Sequence, residues 1–157
     1  MMKSITIAIL AVPALLLIAG RLDLLAGRRP QDLGARDGLL KPPAAQSWNS
    51  VSSQAALHAH TDYHLIAPLS YSGNGKAAFA RLTGIVRAMP GATVITASPD
   101  YLYAEFRTPW LRFVDDVEFL LDERAGVIQM RSASRLGRKD FGVNRKRLEQ
   151  VRSRFEG

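Results

Sequence analysis

Two strictly alternating stretches in the second half of the chain leave little freedom for the fold. From Phe113 to Asp122, alternation puts Phe113, Asp115, Val117, Phe119 and Leu121 on one side of a strand, with Val114, Asp116, Glu118, Leu120 and Asp122 on the other. Glu123-Arg124-Ala125-Gly126 supplies a turn, and Val127 to Ser134 alternates again, so the pair reads as an antiparallel hairpin. With Glu123 facing Gly126, Phe119 falls opposite Met130, Leu121 opposite Ile128 and Glu118 opposite Arg131. Apolar pairs then share one face and a charge pair the other, the consistency a correct register requires.

The preceding segments extend this hairpin. Ala92–Ala97 and Tyr101–Arg107 read as strands joined by the turn Ser98-Pro99-Asp100, with Tyr101, Tyr103, Glu105 and Arg107 on one face of the second. Such short turns exclude the crossovers of a parallel sheet. Before them, Lys76–Met89 carries Phe79, Leu82, Ile85, Val86 and Met89 on one helical stripe, with Asn74 as N-cap and Pro90-Gly91 as the stop. A last helix follows Asp140-Phe141-Gly142, with Asn144 as its expected cap, Leu148, Val151 and Phe155 as its apolar stripe, and flanking arginines turned outward. The expected fold is α+β: an antiparallel sheet of about five strands with two helices packed on one face, preceded by an N-terminal membrane-directed helix.

That N-terminal segment is an uncharged run from Ile5 to Gly20. It falls between a signal-peptide core and a full span of about 20 residues. Bulky residues precede each small-residue pair after it, which favours an uncleaved anchor over a removed signal. The expected division is residues 1–20 as membrane anchor or signal segment, 21–48 as linker and loop, and 49–157 as one α+β domain. The length suits one such domain.

The net charge of +7 is unevenly placed: residues 37–134 carry 8 basic and 9 acidic groups, residues 135–157 carry 8 and 3. The basic excess flanks the apolar N-terminus and fills the last helix, which suits anionic headgroups better than a nucleic-acid footprint. Membrane lipid is therefore the expected partner, beside a small anionic ligand or an envelope protein, with no nucleic acid. The absence of Cys excludes disulfides and thiolate metal sites.

In the meander register, Tyr101, Tyr103, Glu105, Asp116, Glu118, Arg131 and Arg135 collect on one polar face. They read either as a salt-bridge lattice or as a binding site in which a carboxylate acts as acid or base and Arg131 holds an anion. A hydrolase built on Glu118 or Asp116, with His64, is the enzymatic alternative to a non-enzymatic binding or accessory domain. His58, His60, Asp62 and His64 would share one face of an extended strand, a weak metal pattern. Ser52 or Ser53 beside His58 or His60 has the elements of a nucleophile and base, but without the G-x-S-x-G elbow these side chains read as backbone caps. No motif implies a cofactor.

The runs F-V-D-D-V-E-F-L (113–120), R-S-A-S-R-L-G (131–137) and F-G-V-N-R-K-R (141–147), with Asn49–Gln54 and Ile66–Leu69, resemble the bacterial and plant family catalogued as domain of unknown function 1499. The likeness runs from about residue 33 to the end. It implies a fold and no activity. Where that family often has Cys, this chain has Ser50, which argues against a thiol-dependent role. Export-like N-termini among proteins of this kind imply an extracytoplasmic domain, against the four arginines at 21, 28, 29 and 36, which would hold it on the cytoplasmic side.

Overall fold

A computed structural model describes residues 2–157, with side-chain surroundings from residue 11 onward. Helix α1 covers Met2–Arg21, β1 Ser50–Ser52, β2 Leu69–Ser70, α2 Gly75–Arg87, β3 Ala92–Ala97, β4 Tyr101–Arg107, β5 Val114–Asp122, β6 Val127–Ser134 and α3 Val143–Glu156. The sheet has six strands in the order β1-β6-β5-β4-β3, and β2 also pairs with β6. Every pairing is antiparallel. The expected five strands become six because a further short strand, β1, forms within Asn49–Gln54, while Pro68 confines the Leu65–Tyr71 segment to the two-residue β2. The alternation argument holds in detail: Glu118 faces Arg131, Phe119 faces Met130 and Leu121 faces Ile128.

The odd-numbered residues of β5 face a core shared with α2 and α3. Phe79, Leu82 and Val86 of α2, Val117 and Phe119 of β5, Met130 of β6, and Leu148, Val151 and Phe155 of α3 are all buried there. Each such side chain contributes about 1.5–3 kcal/mol relative to exposure. Asn74 caps α2 through its side chain, which accepts from the Ala77 amide at 2.9 Å.

The opposite, polar face is covered as well. Residues 22–41 form an irregular strap across it, tied to the β1 end by Gln54, whose Oε1 accepts from Leu40 N at 2.8 Å and whose Nε2 donates to Gly38 O at 2.9 Å. At Gly27 the strap approaches so closely that a Cβ would lie 2.8 Å from Arg135 Cβ, and its φ of +67° is the conformation glycine adopts freely.

Helix α1 projects from this body. Residues 11–18 are exposed, whereas Gly20 is buried against the β4–β5 loop, where a Cβ would meet Leu111 O at 2.8 Å. Just past the helix, Asp23 accepts from Arg107 and Arg112, each at 2.9 Å. The expected membrane-directed run falls partly outside the residues whose side chains are described. Among the described residues, no helix is long and apolar enough to cross a membrane.

Sheet edge β3 is half open: its register on β4 shifts between Val94 and Thr96, and most of its side chains are exposed.

Candidate functional site

All seven residues singled out on the polar face lie in one hydrogen-bonded layer. Alternation carries Tyr101, Tyr103 and Glu105 of β4 to the same side as Asp116 and Glu118 of β5 and Arg131 of β6, and Arg135 follows β6 directly. Glu118 is fully buried; its Oε1 accepts from Tyr101 Oη and Gly34 N, both at 2.8 Å, and its Oε2 from Arg131 Nη1 at 2.8 Å. Asp116 accepts from Tyr103 Oη at 2.6 Å and from Arg135 at 2.7–3.1 Å. Glu105 Oε1 accepts from Arg135 Nη2 and Arg29 Nη2, both at 2.6 Å. Arg29 also lies 5.5 Å above the Tyr103 ring.

Three carboxylates thus meet three guanidiniums at hydrogen-bond distance, of which Arg29 comes from the strap, and Arg107 Nη2 stands 3.6 Å from Glu105 Oε2. Burial opposes ionisation of Glu105, but the hydrogen bonds from Arg135 and Arg29 outweigh it and hold the carboxyl below its ordinary range. Burial raises the hydroxyls of Tyr101 and Tyr103, and the neighbouring carboxylates raise them further. Burial would lower Arg135; Asp116 and Glu105 reverse that and raise it. None of four surface cavities of 240–550 Å³ is lined by Glu118, Asp116 or Arg131.

A second buried network occupies the core side, and the sequence pattern did not single it out. Asp115 shares the apolar side of β5 and therefore needs a buried partner; Arg147 of α3 donates to it at 2.5 Å. Arg147 also bonds Asn144 Oδ1 at 2.9 Å and Ser132 Oγ at 3.1 Å. Asn144 Nδ2 donates to Asp140 Oδ2 at 2.7 Å, Ser134 Oγ at 2.9 Å and Asn49 O at 3.0 Å. Two expectations are corrected here. Asn144 is not the cap of the last helix: it lies inside α3, and Asp140 takes the capping role, accepting from Gly142 N and Asn144 N, both at 3.0 Å. Arg147 does not turn outward, because Asp115 would otherwise be an unpaired charge in the core.

Asp140 also accepts from Tyr63 Oη. Burial disfavours the charged form of Asp140, yet the Tyr63, Gly142 and Asn144 donors hold its carboxyl below the usual value. Burial and the same bond push Tyr63 up to about 12. Glu105 and Asp140 therefore contribute stability that is complete above the ordinary carboxylate values of 4.5 and 3.8 and is lost as pH falls through their depressed folded values. Thermal melts from pH 7 downward are expected to show a flat plateau and then an acid limb below about pH 4.5. Glu105→Gln should make that limb shallower.

The His58–His64 segment is not the extended strand expected of it. A 3-10 turn at Asp62–His64, where Thr61 and His64 close a capping box, breaks it, and another at Ala55–Leu57 precedes it. His64 is buried with both ring nitrogens committed: Nδ1 accepts from Thr61 N at 2.9 Å, which leaves Nε2 to donate to Ser47 O at 2.7 Å. His60 Nδ1 is bonded to His58 O at 2.8 Å. The described residues hold no cluster of three potential metal ligands. Ser53 Oγ donates to Gln129 Oε1 at 2.7 Å and accepts from Met130 N at 2.9 Å, while Ser52 Oγ accepts from Gln54 N at 3.2 Å. Both hydroxyls serve the backbone and the sheet, and among the described residues neither is hydrogen-bonded to a histidine.

These features define an α+β domain whose antiparallel sheet carries a closed ionic lattice on one face and a polar knot at the start of its last helix on the other. The chain belongs to the family described as "Protein of unknown function (DUF1499)", which matches residues 42–155. The strap, at residues 22–41, precedes the matched region. No curated protein and no solved structure matches the chain.

Proposed function

We propose that this protein is a membrane-attached, non-enzymatic binding or accessory domain of the cell envelope, with α1 as its attachment. The observation that carries this reading is the exposure of apolar side chains on α1: Val12, Leu15 and Ile18 are each more than half exposed, on a helix whose far end is packed firmly at Gly20. Left in water, such a surface costs free energy that lipid relieves. Trp110, 75% exposed, stands in the loop against which α1 ends, where an aromatic ring suits the headgroup level. Arg21 ends the helix at the same junction and suits anionic lipid, while Arg107 and Arg112 there are paired with Asp23.

The non-enzymatic part rests on the closure of the polar face. Asp116 and Glu118 are each committed to an arginine and a tyrosine, and no described cavity reaches them. A hydrolase would need one of them free toward a substrate. The domain lies on the extracytoplasmic side in this reading.

Carbonate washing of membranes from cells making the tagged full-length chain tests the attachment. The chain is expected in the pellet at full length, and recovery of the uncleaved protein in the wash would sink the proposal. Protease added to intact spheroplasts should then cut the domain; protection until lysis would place it on the cytoplasmic side.

A further inference from the structure

Two cavities open beside the loop on which α1 ends, and they differ in chemistry. The larger, about 550 Å³, lies between the β4 end, the turn after α2 and one face of α3, and presents Arg107, Lys146 and Arg154. Arg107 is engaged by Asp23 at 2.9 Å, whereas Lys146 and Arg154 form no ion pair among the described residues. The smaller, about 300 Å³, has walls of Phe113, Val114, Leu136, Phe141 and Val143. Its two carboxylates are already satisfied, Asp115 by Arg147 and Asp140 by the amides that open α3. Thr108 and Val143 line both cavities, so a cationic cleft and an apolar one meet along a shared wall.

The exposed side chains around this wall are otherwise hard to explain. Phe141 is 94% exposed and held at a φ of +53°, a conformation a bulky residue rarely adopts. Leu136 and Val143 are each more than 40% exposed beside it. Strain combined with an unburied aromatic ring at the rim of an apolar cavity is the arrangement expected where something else completes the packing.

We propose that these adjoining cavities form a binding site for one anionic phospholipid, its phosphate over Lys146 and Arg154 and one acyl chain in the apolar cavity below Phe141. The choice of occupant follows from the pairing of charge and greasy walls, and from continuity with α1, which leaves the domain at the same loop. Ligand cavities run from about 300 Å³ upward, so the smaller space suits part of one chain and not a whole lipid. This assignment rests on the membrane reading for its supply of lipid, but its test does not.

The test uses the full chain with phosphatidylcholine vesicles containing a little phosphatidylglycerol that carries a photoreactive group at the end of one chain. After irradiation and digestion, label is expected on peptides containing Leu136, Phe141 and Val143. Val143→Trp, at a half-exposed position, should fill the mouth and remove that label while leaving the melt unchanged. Reversing both charges, Lys146→Glu with Arg154→Glu, should lower the label by at least about thirty-fold, since two basic groups near anionic lipid contribute about 1 kcal/mol each. Label confined to α1, or absent, overturns the proposal whether or not the protein survives carbonate washing. Equal labelling from a phosphatidylcholine probe overturns the role of the basic cleft, and complete suppression by inorganic phosphate would assign the cleft to a free anion instead of a lipid.

Discussion

Replacing Arg135 by alanine is expected to destabilise the domain by about 3–5 kcal/mol, because removing one partner of a buried ionic cluster leaves the others charged and unpaired. Arg135 is the hub: it binds Asp116 through Nε and Nη2, reaches Glu105 at 2.6 Å and holds the Tyr103 hydroxyl at 3.0 Å. Without it, Asp116 retains only the tyrosine, and Glu105 depends on the half-exposed Arg29 and on Arg107, 3.6 Å away. Urea denaturation of the wild-type and Arg135→Ala proteins measures the difference. Exposed ion pairs contribute about 1 kcal/mol or less, so a loss that small would mean water reaches the lattice freely. Arg135→Lys should fall between the two, since one ammonium cannot reproduce the forked contact.

The second large effect concerns the N-terminus. Removing residues 1–20 takes away α1 and nothing from the lattice; a cooperative melt close to that of the full chain is expected, together with loss from the membrane fraction. Removing residues 1–36 also deletes Arg29 and Gly34. Glu118 then loses the 2.8 Å amide donor, Glu105 loses one of its two close guanidiniums, and the polar face of the sheet opens to water. That truncation should melt at a distinctly lower temperature and exchange the amide hydrogens of β4 and β5 faster. Equal stability of the two truncated chains would show that the strap rests on the sheet without holding it.

The strands after residue 92 were legible because their alternation has two faces of opposite character, so a register error of one residue would have buried charge and exposed the core. The polar layer followed from the same alternation, since neighbouring strands in register bring like faces together. The strap was not legible. Residues 22–41 have no period, and their contributions to the lattice are one backbone amide at Gly34 and one arginine among several. The histidine run was misjudged because spacing alone cannot distinguish an extended strand from 3-10 turns; the turn was decided by Thr61 and His64 bonding each other's backbone. Asp115 was the one visible sign of the second network. A carboxylate on the apolar side of a central strand demands a partner, and Arg147, one residue before the buried Leu148, lay within reach of that side.

The half-open edge at β3 bears on what happens when many copies share one surface. Were the protein tethered by α1 as proposed, it would be confined to two dimensions, where encounters between neighbours are far more frequent than in bulk, and any regular unpaired strand would invite sheets to fuse edge to edge. The register shift between Val94 and Thr96 interrupts the row of donors and acceptors midway along a six-residue strand. A neighbouring copy can therefore match only a few consecutive groups before its ladder falls out of step. The opposite boundary is shared by β1 and β2, three and two residues long, which are too short to template anything. Crowding at a membrane would thus bring these domains together without letting them polymerise.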